Sequence, residues 1–224
     1  SFAVTHDKAG RVTSGSFKKS GSAIYFVGTP YSPLLAPDFT AFMQNAAILY
    51  RLNASGAIRA MYPVGAGGIA EALTKMMMGN GIGGRIDAVP LSFTRAHIPG
   101  AKASSLDLFT PQYGSIILEA APEAESEIDK AGFVSGTIVK IGETIRESEI
   151  AVEDENAEIP YTKISLSDAE KAWESKLSEV FPPVSESPAL PALPSFALAV
   201  HPSLADLRSC VSLGKKTFAA PTKK

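Results

Sequence analysis

One cysteine, Cys210, one tryptophan, Trp173, and three histidines are all that 224 residues contain of those types. A lone thiol closes no internal disulfide, which fits a reducing cytosol and sets the expectation of a cytoplasmic protein. No apolar run approaches the ~20 residues of a membrane span, so no membrane partner is expected. Ser1-Phe2-Ala3-Val4-Thr5-His6-Asp7 shows no basic stretch followed by an apolar core, so these residues are not expected to be a secretory leader. The chain also opens without methionine, in what reads as the middle of a strand, and the expectation is a piece cut from a longer polypeptide. Charge of neither sign dominates: 21 basic residues face 23 acidic ones for a net charge of -2, which argues against nucleic acid as a partner. What remains, 45% hydrophobic and 20% charged residues, is an ordinary globular composition, long enough for one generous domain with an extension.

The most informative stretch is Met61-Tyr62-Pro63-Val64-Gly65-Ala66-Gly67-Gly68-Ile69-Ala70-Glu71-Ala72-Leu73. Residues 57–62 alternate like a strand, and Ile69, Ala72, Leu73 and Met76 then recur at helical spacing. Gly65, Ala66, Gly67 and Gly68 therefore turn a strand into a helix N-terminus. Such a turn carries unpaired N–H groups and the positive end of the helix dipole, and it lets a phosphate approach the backbone closely. The competing reading is tight packing of helix on sheet, because one glycine-rich turn is a weak signal. Gly79-Asn80-Gly81 is expected to end the helix.

An α+β domain is expected, with a mixed sheet from strands near residues 23–28, 58–64, 85–89, 115–120 and 133–142, and helices over 38–55, 68–78 and 167–180. Phe2-Ala3-Val4 reads as a further short strand, and Lys18-Lys19 as a solvated turn. Asp38 reads as the N-cap of the first helix, with Phe39, Phe42, Met43, Ala46, Leu49 and Tyr50 as its core stripe. His97 has no second ligand type at metal-binding spacing. The acidic run Glu123, Glu125, Glu127 and Asp129 lies along one segment, which suits a solvated helix face better than a converging metal site. Residues 145–159 read as an edge hairpin or loop. Ser167 and Glu170 form a capping box, and Trp173 is expected to pin the last helix to the body. From Phe181 the prolines impose an extended tail, giving a domain over 1–180 and a Pro-rich tether over 181–224.

Several of these motifs occur together in a familiar order. Phe17-Lys18-Lys19-Ser20-Gly21-Ser22, Val64 to Leu73, Leu108-Phe109, Tyr113 to Glu119 and Ile141-Gly142-Glu143-Thr144-Ile145 resemble the C-terminal domain of the aminoimidazole ribonucleotide synthetase superfamily. More closely, they are similar to the second copy of that domain in the large phosphoribosylformylglycinamidine synthases. The resemblance covers residues 2 to about 150. It implies a parent ligase of purine biosynthesis that uses ATP, with Mg2+, to activate the amide of formylglycinamide ribonucleotide, and takes ammonia from glutamine. It also implies partners within the same polypeptide, namely N-terminal-type synthetase domains and a glutaminase domain, with a homodimer possible. The isolated chain is expected to be inactive.

Two departures bear on the site. The family carries His-Asp just before the position of Val64, where the aspartate can hold magnesium, but this chain has Tyr62-Pro63. Where relatives have an acid after the Leu-Phe pair, this chain has Thr110-Pro111-Gln112. The resemblance therefore implies the structural half of a pseudo-symmetric pair, with Gly65, Ala66, Gly67 and Gly68 facing phosphate or nucleotide and no catalytic residue or metal ligand in this chain. Cys210 lacks the glycine-flanked elbow of a glutaminase nucleophile. The rival is a dinucleotide-binding domain, since Gly65 to Ala70 fits G-x-G-x-x-A with Asp87 about 20 residues on. Pro63 opposes it, because proline removes a ladder donor from a central strand. A purely structural module is the other alternative.

Overall fold

The computed structural model describes residues 12–31, 36–87, 108–153, 161–176 and 180. By its internal contacts the chain divides into two units, Ser1–Lys176 and Leu177–Lys224. In the first, the strands are β1 (Ala23–Val27), β2 (Ile58–Pro63), β3 (Gly83–Asp87), β4 (Ile116–Ala120), β5 (Ile138–Ile145), β6 (Glu149–Glu153) and β7 (Tyr161–Ser165). The helices are α1 (Phe39–Ser55), α2 (Gly68–Met78), the short α3 (Glu125–Asp129) and α4 (Leu166–Ser175).

The strands form one sheet in the order β2-β4-β1-β5-β3-β6-β7. Only β3 and β6 pair in parallel; every other neighbour is antiparallel. The α+β class with a mixed sheet is thus observed. β1 is apolar throughout because it is buried on both faces. Its alternation sends Ile24 and Phe26 into one core with Ile69, Leu73, Met76 and Met77 of α2. Ala23, Tyr25 and Val27 enter a second core with Ile48, Leu49 and Leu52 of α1. Beyond the cover of α1, the same sheet face turns polar. There Arg85 lies 3.2 Å from Glu143 and 3.6 Å from Glu153, and Lys163 lies 2.5 Å from Glu149. Such cross-strand pairs suit a face left in water.

α1 starts and stops as the sequence predicts. The Asp38 carboxylate accepts from the amides of Thr40 (2.9 Å) and Ala41 (3.0 Å), and Gly56, at φ 84°, closes the helix in the left-handed region. Its buried face differs from expectation. Ala41, Asn45, Ile48, Leu49 and Leu52 point inward, whereas Phe39, Met43 and Tyr50 are 70%, 64% and 55% exposed. Trp173 is also corrected: it is 64% exposed, and Leu166 is what α4 buries. The cap of α4 is Ser165, which accepts from the Asp168 amide at 3.1 Å; it lies two residues before the expected Ser167. The expected strand over 133–142 begins later, at Ile138, and the acidic segment after it contains β6. Phe2 to Val4, His97 and Cys210 lie outside the described residues.

The loop before β1 is organised by one carboxylate. Glu119 is fully buried on β4 and accepts from the backbone amides of Lys18 (2.7 Å) and Lys19 (3.2 Å) and from Ser22 Oγ (2.7 Å). Arg59 Nη1 donates to that same hydroxyl oxygen at 2.9 Å. An ion removed from water needs such partners, and this one has three. The Lys18-Lys19 backbone is therefore a brace, with only its side chains turned to solvent.

Candidate functional site

β2 delivers the glycine turn. Past Pro63, the buried Val64 donates its amide to Ser115 O at 2.9 Å, which ties the turn to the start of β4. Gly65, Ala66 and Gly67 then lead into α2, whose N-cap is Gly67. Gly68, the first helical residue, has φ 70°. A Cβ there would stand 2.5 Å from the carbonyl oxygen of Leu108 and 2.8 Å from that of Thr110. Glycine is thus required at position 68 by both conformation and packing. The 108–110 segment that abuts it is the Leu-Phe pair singled out in the sequence.

Two amides of the turn have partners. Gly68 N–H donates to Gly65 O at 3.2 Å, and Gly67 N–H donates to Glu71 Oε2 at 2.8 Å. Glu71 reaches back over the first turn of α2, and its other oxygen lies 2.6 Å from Lys75 Nζ. The ammonium first, and the Gly67 amide second, hold the Glu71 carboxyl below the ordinary carboxylate range. Lys75 is raised in turn by Glu71, and it also meets the Tyr62 hydroxyl. The negative end of this array sits at the positive end of the α2 dipole, where a carboxylate is favoured.

Two shallow grooves flank this ridge. One, of about 270 Å³, is lined by Tyr62, Pro63, Val64, Gly65, Ala66, Glu71 and Ala72. The other, of about 390 Å³, runs between Gly67, Glu71, Lys75 and Met78 on α2 and the exposed aromatics Phe109 and Trp173. Gly65 and Ala66 thus line the first groove and Gly67 the second, while Gly68 is buried beneath 108–110. Among the described residues no three His, Cys, Asp or Glu side chains converge as a metal site would require. Tyr62 and Pro63 offer no carboxylate at the place where the family's aspartate was expected, so the residues present do not fit a magnesium ion.

The dinucleotide alternative fails on topology. β2 lies at the sheet edge and pairs antiparallel with β4, so the glycine turn does not follow a central parallel strand. Asp87 ends β3, which three strands separate from β2 in the order of the sheet. What sequence reading missed is Glu71: a carboxylate one turn into a helix is a common surface feature, and only the backbone path shows that it caps Gly67.

No family model matches the chain. It is 36% identical over 143 residues to the phosphoribosylformylglycinamidine synthase subunit PurL of Thermoplasma volcanium, a match spanning 57% of this chain and 18% of that protein. The chain therefore corresponds to less than a fifth of that relative's length. Among solved structures, it superposes on PurLQS from Thermotoga maritima with a TM-score of 0.58 at 14% identity, over 71% of this chain and 28% of that one. It superposes on T. maritima PurL complexed with formylglycinamide ribonucleotide (FGAR) with a TM-score of 0.53 at 13% identity, over 70% and 29%. The hydrogenase maturation protein HypE in complex with ATP gives 0.51 at 14% identity, over 68% and 52%. At such identities the superpositions establish fold, and the sequence match narrows it. In sequence and in fold alike, the described body is similar to PurL.

Proposed function

We propose that this chain is a domain of a phosphoribosylformylglycinamidine synthase, the cytoplasmic ligase that converts formylglycinamide ribonucleotide to its amidine with ATP and a glutamine-derived amide. The observation that carries the reading is the 36% identity to PurL across 143 residues, in a body that has the PurL fold. In that reaction ATP phosphorylates the amide oxygen of the substrate, ammonia adds to the activated carbon, and phosphate leaves. Magnesium, which in the parent would screen the nucleotide phosphates, has no ligand set among the described residues and is assigned in this reading to another domain. Residues 1–180 form the synthetase-type domain in this reading, and the Pro-rich tail over 181–224 is the tether towards a glutaminase domain. The chain alone is inactive.

Its own residues supply a seat. Gly65, Ala66, Gly67 and Gly68 form a turn at a helix N-terminus that faces a phosphate-bearing ligand through the groove beside Gly65 and Ala66. Glu71 holds the Gly67 amide until an anion displaces it, and Lys75 then remains beside the incoming charge. A second reading, the turn as a packing joint, is favoured by the 2.5 Å approach of Leu108 O to the position a Gly68 Cβ would take.

The ligase assignment is tested by assaying the full-length parent for ADP formation dependent on both formylglycinamide ribonucleotide and glutamine or ammonia, beside the isolated chain. Turnover by the parent and none by the chain is the expected result. A parent that consumes no ATP with that substrate contradicts the ligase assignment, and a chain that turns over alone contradicts its inactivity.

A further inference from the structure

α2 is joined to β3 through an exposed turn, Gly79-Asn80-Gly81, in which the asparagine stands directly before glycine. Asn80 Nδ2 donates to the carbonyl oxygen of Phe17 at 2.7 Å, and the Phe17 amide donates to Met76 O at 3.0 Å. Together these bonds fasten the segment before β1 to the end of α2. Gly81 has φ 67°, and its carbonyl accepts from Ser148 Oγ at 2.7 Å. Its own N–H has no hydrogen-bond partner among the described residues. A main-chain nitrogen so placed can close onto the side-chain Cγ of the asparagine before it. The other asparagines are less exposed to this reaction. Asn45 and Asn53 lie within α1, where the next residue's nitrogen donates into the helix ladder, and Asn156 precedes alanine.

We propose that Asn80 is a site of spontaneous covalent modification, converted to aspartate and isoaspartate, and that the conversion unfastens the segment before β1 from α2. In mildly alkaline water the Gly81 nitrogen gives its proton to hydroxide and attacks Asn80 Cγ. The N–Cγ bond forms, the Cγ–Nδ2 bond breaks, and Nδ2 takes a proton from water and leaves as ammonia. Water then opens the succinimide ring. Addition at Cγ gives aspartate, and addition at the Asn80 main-chain carbonyl carbon gives isoaspartate, in which the chain runs on through Cβ and Cγ. Every step is redox-neutral, and water is the only co-reactant. Glycine at 81 matters because a Cβ there would crowd the attacking nitrogen. The bond from Nδ2 to Phe17 O holds the amide back from the reaction, and it is also what the reaction removes. A carboxylate at position 80 has no hydrogen to donate, faces the Phe17 carbonyl oxygen, and stands at the negative end of the α2 dipole. In isoaspartate the added main-chain atom also displaces Gly81 from Ser148. The inference is independent of the ligase reading.

Ageing the full chain in mildly alkaline buffer and mapping its peptides by mass spectrometry tests the site, with protein isoaspartyl methyltransferase as the probe for isoaspartate. Conversion at Asn80 should run at least about tenfold faster than at Asn45, Asn53 or Asn156, a barrier lower by about 1.4 kcal/mol. Asn80→Gln, whose longer side chain does not close the same ring, should take no methyl label at that position. Asn80→Asp makes one product directly and tests the consequence. Its Phe17 amide should exchange hydrogen faster than in wild type, while the amides of β1 keep their protection. No conversion at Asn80, or a rate there equal to that at Asn156, overturns the site. Wild-type exchange at Phe17 in Asn80→Asp, or exchange raised equally through β1, overturns the local unfastening.

Discussion

Replacing Glu119 by glutamine should cost the fold about 2–4 kcal/mol, and the arithmetic follows from its partners. One carboxylate oxygen accepts from the Lys18 amide at 2.7 Å, and the other from the Lys19 amide at 3.2 Å and Ser22 Oγ at 2.7 Å. All three donors are fixed, two of them by the backbone. A glutamine NH2 in either oxygen's place faces at least one N–H, so at least one bond becomes a clash and the rest lose their charge assistance. Hydrogen bonds to a charged acceptor contribute about 1.5–3 kcal/mol each, and a buried donor left unpaired adds a comparable penalty. The carboxylate's desolvation offsets part of this, which keeps the expected cost to the range given. Glu119→Ala strands both backbone donors, leaves Ser22 Oγ only the Lys19 carbonyl at 3.1 Å and opens a cavity, and should exceed 4 kcal/mol, a large part of a typical domain's ~5–15 kcal/mol. Urea unfolding is the assay. With a slope of about 2 kcal/mol/M, Glu119→Gln should lower the midpoint by about 1–2 M. Adding Ser22→Ala should cost less in the glutamine background than in the wild type, because the two share a bond. A Glu119→Gln midpoint within about 0.3 M of wild type, or strict additivity with Ser22→Ala, would refute the reasoning.

Three further outcomes follow from the site and the core. Glu71 has its pKa lowered by Lys75 and the Gly67 amide, so its contribution is present above the unfolded carboxylate value of 4.5 and is lost as pH falls through the lower folded value. Its side chain is 38% exposed, and after solvent screening the contribution is about 0.5 kcal/mol; Glu71→Gln should therefore trail wild type at pH 7, and the gap in urea midpoints should close as the carboxylate is protonated in acid. Gly68→Ala should destabilise by about 2 kcal/mol or more, since it meets both φ 70° and the Leu108 carbonyl, whereas Gly67→Ala keeps an ordinary φ and crowds only the Glu71 side chain, its Cβ at 2.6 Å included, and should cost less; equal thermal shifts for the two would contradict the geometry. Asn45→Ala removes a buried amide that donates to Thr137 Oγ1 at 2.9 Å and accepts from the Val134 amide at 3.1 Å, so a loss of about 2–3 kcal/mol is expected, measured by the same urea series.

Local features were legible in the sequence, and long-range ones were not. α2 and the ends of α1 could be read because Asp38, Gly56 and the apolar spacing of Ile69, Ala72, Leu73 and Met76 act within a few residues of one another. The inward face of α1 could not. The helix carries two apolar stripes, and the buried one includes the polar Asn45, so periodicity pointed to the bulkier, exposed set. Residues 145–159 read as an edge hairpin or loop, and β6 does pair antiparallel with β7 at the sheet edge; β7 itself, exposed along most of its length, carries no apolar alternation to mark it. The Glu119 brace joins residues about a hundred positions apart, and nothing local marks a glutamate in an apolar strand as the ion a loop folds around. The glycine turn was visible as a strand-to-helix corner. That Glu71 would close over it depended on a backbone path that spacing alone does not give.

Gly67→Asp in the full-length parent tests the role of the turn most directly. Aspartate is a good N-cap and Gly67 has an ordinary φ of -84°, but a Cβ there stands 2.6 Å from Glu71 Cβ, so Gly67→Ala is the control for what crowding at Glu71 costs. A carboxylate fixed at that corner repels an incoming phosphate. The account predicts weakened nucleotide or substrate binding and reduced turnover beyond those of Gly67→Ala. Unchanged binding and turnover would contradict it.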